Sequence, residues 1–118
     1  MAATELNLTV EQGTLFEHDV TIYSDSAQTT PLDLTPYSAR AQVRSAKSST
    51  SELQFSFVAE VLSPATDGVV RISVLPATTA DLTDFPLQNR WDLEIHSGVD
   101  EVYRVHEGIL TISPEVTS

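Results

Sequence analysis

PLDLTPYSARAQVR, residues 31–44, decides the fold. Leu32 and Leu34 alternate with Asp33 and Thr35; beyond Pro36, Tyr37, Ala39, Ala41 and Val43 alternate with Ser38, Arg40, Gln42 and Arg44. A period of two is that of a β-strand, whose successive side chains point to opposite faces. The segment therefore predicts a strand with one apolar face to bury and one polar face carrying two arginines and an amide.

The same alternation recurs on both sides of it. Upstream, residues 24–30 (SDSAQTT) are turn formers, and Thr30-Pro31 favours extended backbone, so an exposed connection is expected. Before it, Phe16, His18, Val20 and Ile22 share one face of a strand over about 15–24, which puts His18 on the apolar side. Leu6, Leu8 and Val10 mark a first strand ended by Gln12-Gly13. Downstream, residues 45–52 (SAKSSTSE) are too small and polar to offset their ordering entropy and predict a mobile loop. Leu53, Phe55, Phe57, Ala59 and Val61 form a fourth strand, and Val70, Ile72 and Val74 a fifth, joined through SPATDG at 63–68 as a hairpin. Pro76 opens one short helix near 76–83, held by packing Leu82 and Phe85 against the sheet. Trp91, Leu93 and Ile95 are the inner face of a sixth strand, followed by a turn at 97–100. A seventh strand is expected over 101–106, a bulge at Glu107-Gly108, and a last strand over 109–113 stopped by Pro114. Seven or eight short strands with one helical turn predict a single all-β domain over 1–118 with extended termini. The architecture is an antiparallel β-sandwich, with a partly closed barrel as the alternative.

Composition narrows the function. Six Lys and Arg against seventeen Asp and Glu give a formal charge of −11, which disfavours nucleic acid and anionic lipid as partners. No apolar run approaches the ~20 residues of a membrane-spanning helix. With no cysteine, disulfides, thiolate metal sites and thiol nucleophiles are excluded. The N-terminus has neither the basic region nor the apolar core of a cleaved secretion signal.

Chemistry-bearing residues are present without a chemistry-bearing pattern. His18, His96 and His106 lack the spacing of a zinc motif, the acidic residues form no calcium loop, and no serine sits in a nucleophile elbow. The expectation is no catalytic residue, no metal and no cofactor. Trp91 shares the parity of Leu93 and Ile95 and belongs to the core, which leaves Tyr23 as the exposed ring for a glycan-binding reading. Arg40, Gln42 and Arg44 stand together on the outward face of their strand. They are the candidate protein–protein interface, with Glu52, Asp92 or Glu94 as cross-strand partners.

Several segments together carry a family likeness. Glu11-Gln12-Gly13-Thr14 with Phe16, residues 31–35 with Tyr37, and residues 39–44 match in order, followed by Thr79-Ala80, residues 91–95, Glu107-Gly108 and residues 114–117. In these the chain resembles small tailed-bacteriophage virion proteins of tail, baseplate or fibre-attachment regions, including immunoglobulin-like N-terminal domains of upper baseplate and adaptor proteins. Pro36 stands where that pattern often has glycine, and His106 where it has an aliphatic residue. The resemblance implies an immunoglobulin-like sandwich and a non-enzymatic structural subunit, assembled in the host bacterial cytoplasm into the virion. Its partners would be other phage virion proteins and symmetric copies of itself. A carbohydrate- or receptor-binding β-module is the alternative, and a small cell-wall hydrolase a third reading.

Overall fold

The computed structural model describes residues 3–25, 27–45, 53–82, 88–97 and 101–114. The chain is mostly β: β1 (Thr4–Glu5), β2 (Leu8–Glu11), β3 (Phe16–Thr21), β4 (Ser38–Arg44), β5 (Leu53–Val61), β6 (Val69–Val74), β7 (Gln88–Ser97) and β8 (Glu101–Ser113), with one α-helix, α1 (Pro76–Ala80). The strands form one mixed sheet in the order β1-β8-β7-β4-β5-β6-β3, with β2 also alongside β8. Strand β5 is shared: Leu53, Phe55, Ser56 and Phe57 pair with β4, while Val58 to Val61 pair with β6. The sheet therefore curls at β5, and its two halves close on one core that includes Val20, Val43, Phe57, Ile72, Trp91 and Ile112. Alternation explains who enters that core. Along β7, Asn89, Trp91, Leu93 and Ile95 are buried and their neighbours are not.

Two expectations about strand direction and register are corrected. The sheet is not purely antiparallel, because β1 and β2 run parallel to β8, with Leu8 opposite Leu110 and Val10 opposite Ile112. The expected seventh and last strands are one 13-residue strand, β8. Its irregularity lies before Glu107-Gly108: Leu93 pairs with His106 but Glu94 with Arg104, so Val105 is the extra residue. A bulge shifts side-chain parity by one. Val105 and His106 are accordingly buried in succession, and the inner face continues on Gly108, Leu110 and Ile112.

Gly108 has a different task. A Cβ there would lie 2.1 Å from the Leu6 carbonyl oxygen, so only glycine lets the N-terminal segment approach β8. That carbonyl accepts a 2.8 Å hydrogen bond from the Trp91 indole Nε1–H, and Trp91 is the cross-strand partner of Gly108. Beside it, Ile109 N–H donates to Asn7 Oδ1 at 2.9 Å, which carries the pairing across the gap between β1 and β2.

Other local outcomes follow from hydrogen bonding. The alternation at 32–35 is not strand: Leu34 is buried, but its N–H donates to Ala65 O and Asp33 Oδ1 accepts from Thr35 N–H, so β4 begins only at Ser38. The β5–β6 connection is a hairpin, with a 3-10 turn at Ala65–Asp67 and Gly68 at φ 70°. Helix α1 carries proline in its first turn and is shorter than expected. Polar bonds tie it down as well as Leu82: Gly13 N–H donates to the buried Thr79 Oγ1 at 2.9 Å, and Gln12 Nε2 donates to Thr79 O and Leu82 O. His18 is exposed, contrary to its parity, although Phe16 and Val20 on the same face of the outer strand β3 are covered by the core. It stacks on Phe16 instead. The expected mobile loop beyond residue 45, the turn at 98–100, Phe85 and the last four residues lie outside the described residues.

Gly108→Ala is expected to destabilise the protein by about 3 kcal/mol through overpacking against the Leu6 carbonyl. Trp91→Phe should cost roughly 1–3 kcal/mol, because it leaves that carbonyl without its indole donor. Urea unfolding of the two variants measures both losses.

Candidate protein interface

Register on β4, β7 and β8 builds the site. Arg40 lies opposite Glu94, Gln42 opposite Asp92 and Arg44 opposite Arg90, while on the far side of β7 Glu94 meets Arg104 and Asp92 meets Glu107. Residues opposite one another in an antiparallel pair share a face. All these side chains therefore project from the outer surface, away from the core of Val43, Trp91 and Leu93. The sequence-predicted trio stays together: Arg40 Nε–H donates to Glu94 Oε1 at 2.8 Å, and Arg44 donates to Gln42 Oε1 at 3.3 Å. Glu94 is thus the partner realised for Arg40. Asp92 pairs instead with Arg104, at 3.3 Å, and Arg104 also reaches Glu107 at 3.7 Å.

Charge is segregated on this surface. Four of the chain's six Lys and Arg, namely Arg40, Arg44, Arg90 and Arg104, stand here against the carboxylates of Asp92, Glu94 and Glu107. The rest of the chain holds two cations against fourteen carboxylates. Sequence reading missed Arg90 and Arg104. Parity with Asp92 and Glu94 was enough to put Arg90 on the polar face, but its place opposite Arg44 required the β4–β7 register. Arg104 required the bulge at Val105.

Burial pushes the Asp92 carboxyl above its ordinary range; Glu94 and Glu107 add to the rise, and Arg104 and Arg40 oppose it. The charged form of Asp92 is therefore held at a net cost. On the opposite half of the sheet, Arg71 lies across from Asp19 and Glu60, and its hydrogen bonds hold Asp19 below the usual carboxylate range. Leu15, Leu75 and Val58 are exposed at neighbouring positions of that half.

The three histidines do not make a centre. His18 is exposed, His96 lies on β7 and His106 is buried on β8, and among the described residues no three His, Asp or Glu side chains are grouped to hold a metal ion. Burial lowers the basicity of His106, against the effect of main-chain hydrogen bonds to Thr21 and Thr4. No protein-family model matches the chain, and no curated protein matches it.

Two outcomes follow for stability. His106 is less basic folded than unfolded, so its contribution is complete above the unfolded value of about 6.5 and is lost as the pH falls below it. Thermal melts of wild type and His106→Gln between pH 7.5 and 5 should show the steeper decline in wild type. Asp92→Asn should leave the melting temperature at pH 7 unchanged or raised, since it removes a carboxylate whose ionisation is disfavoured where it stands.

Proposed function

We propose that this protein is a non-enzymatic structural subunit of a tailed-phage virion, an element of the tail, baseplate or fibre-attachment region that works by protein–protein assembly. The observation that carries the reading is the arginine-bearing outer face of β4, β7 and β8 on an otherwise strongly acidic chain. Complementary charge orients and selects partners more than it adds affinity. A cationic strip on one copy suits the acidic surface of the next, and such a head-to-tail contact repeated about an axis gives a closed ring. The family resemblance supplies the setting, with other virion proteins as partners and the virion as location.

The finer fold reading belongs to the same proposal. Strands β4, β7 and β8 correspond to the C, F and G strands of an immunoglobulin-like sandwich, and β3, β6 and the second half of β5 to its B, E and D strands. Phe57 on the shared strand meets Phe16 of β3 across that division, with ring centroids 5.7 Å apart. The parallel entry of β1 and β2 beside β8 departs from a purely antiparallel sandwich but is compatible with a two-layer arrangement.

Immunogold labelling of purified particles with an antibody to this chain should decorate one region of the tail, and absence from intact virions would refute the assignment. Charge reversal tests the face itself. Arg40→Glu with Arg44→Glu is expected to keep the fold, because both side chains are outward, and to cut incorporation into particles at least tenfold, a change of about 1.4 kcal/mol in docking. Normal incorporation of the double variant would move the docking surface elsewhere.

A further inference from the structure

The edges of the curled sheet come together at a cavity unrelated to the arginine face. It has a volume of about 440 Å³ and is walled by the N-terminal segment at Thr4, the end of β3 and the loop after it at Thr21, Tyr23, Asp25 and Gln28, and β8 at His106. Here the outermost strands β1 and β3 face each other across an imidazole, with the main chains of Thr4 and Thr21 both against His106. His106 is only 8% exposed, and its Nδ1 is buried without a hydrogen-bond partner. A buried polar atom left unpaired is costly in a folded protein. That atom is closed off, so the cavity meets His106 elsewhere on the residue.

The remaining walls define the ligand's chemistry. Among the described residues no Lys or Arg lines the cavity, so nothing described there favours an anion. The one carboxylate among the described lining residues, Asp25, already accepts from Thr29 N–H, Thr30 N–H and the Thr29 hydroxyl, which leaves little for a cation. What remains is neutral and dual in character. The Thr4 and Thr21 hydroxyls and the Gln28 amide donate and accept, while the Tyr23 ring offers an apolar face. Tyr23 is fixed by a β-bridge to Pro31. Gln28 is held at φ 58°, a left-handed conformation that glycine adopts more easily. A strained residue that places an amide at a pocket rim is a recurrent feature of binding sites. The space lies within the range of small-molecule pockets.

We propose that this seam cavity is a binding site for a neutral saccharide, a mono- or disaccharide stacked on Tyr23 beside His106, with one hydroxyl on the Gln28 amide and another on the Thr4 or Thr21 hydroxyl. The site is independent of the assembly role, since none of its residues lies on the arginine face.

The test is titration of the full-length, isotope-labelled protein with the methyl glycosides of glucose, galactose, mannose, rhamnose and N-acetylglucosamine, followed by amide and imidazole NMR signals. At least one glycoside should shift the signals of Thr21, Tyr23, Gln28 and His106 together and saturate with a Kd of about 1 mM or tighter. Tyr23→Ala should weaken that binding about tenfold or more. Gln28→Gly separates recognition from folding: it suits the backbone conformation, so the melting temperature should hold or rise, while affinity falls. If none of the five glycosides shifts those signals, the cavity holds water only and the proposal fails. Shifts that persist unchanged in both variants, or that fall elsewhere on the protein, also overturn it.

Discussion

The hydrogen bond from the Trp91 indole to the Leu6 carbonyl, made over the bare backbone of Gly108, is the constraint on which the rest of this structure depends. Tryptophan contributes the largest apolar area of any side chain here, and burying it obliges its N–H to find an acceptor. The acceptor comes from 85 residues away in sequence, at the start of the chain. Satisfying one buried donor thereby decides where the N-terminus lies. The chain enters beside β8, its Leu8 and Val10 fill the core next to Leu110 and Ile112, and a parallel pair joins an otherwise antiparallel sheet.

The same neighbourhood explains the bulge. Strand β8 must present Tyr103 and Val105 inward near one end and Gly108, Leu110 and Ile112 inward at the other, two sets of opposite parity. One extra residue reconciles them. Its placement at Val105 turns His106 into the gap between β1 and β3 and turns Arg104 and Glu107 outward beside Asp92. A single backbone irregularity thus serves two surfaces. It sets the buried imidazole of the seam and completes the charged face on the outer side.

Much of this was legible in the residues. Strict alternation of Leu53, Phe55 and Phe57, of Val70, Ile72 and Val74, and of Trp91, Leu93 and Ile95 is enough to assign strands and inner faces, since period-two burial is a local property. Arg40, Gln42 and Arg44 were placed on the outer face for the same reason. Pairing is not local. Nothing in MAATELNLTV distinguishes a strand that joins its sequence neighbour from one that joins the far end of the chain, so the parallel entry was hidden. His18 shows the complementary limit: parity assigns a side, but not whether the core reaches that position, and here it covers Phe16 and Val20 and leaves His18 exposed. Gly108 signalled a special position correctly, but the close approach of Leu6 was the cause and the bulge lay three residues earlier.

The charged face makes best physical sense as a surface of orientation. Its ion pairs join exposed arginines to half-buried carboxylates, and such surface pairs contribute roughly 0–1 kcal/mol each, too little to explain the clustering by stability. Arg44 and Arg90 stand opposite one another, which concentrates positive charge on this face. Arg40, tied to Glu94, is already held in one geometry, so little side-chain entropy remains to be lost when a partner arrives. With fourteen carboxylates on the remainder of the chain, an acidic neighbour of the proposed assembly would be repelled from most approaches and least from this one. In the proposed assembly role, repulsion elsewhere would select the docking direction as firmly as attraction at the strip.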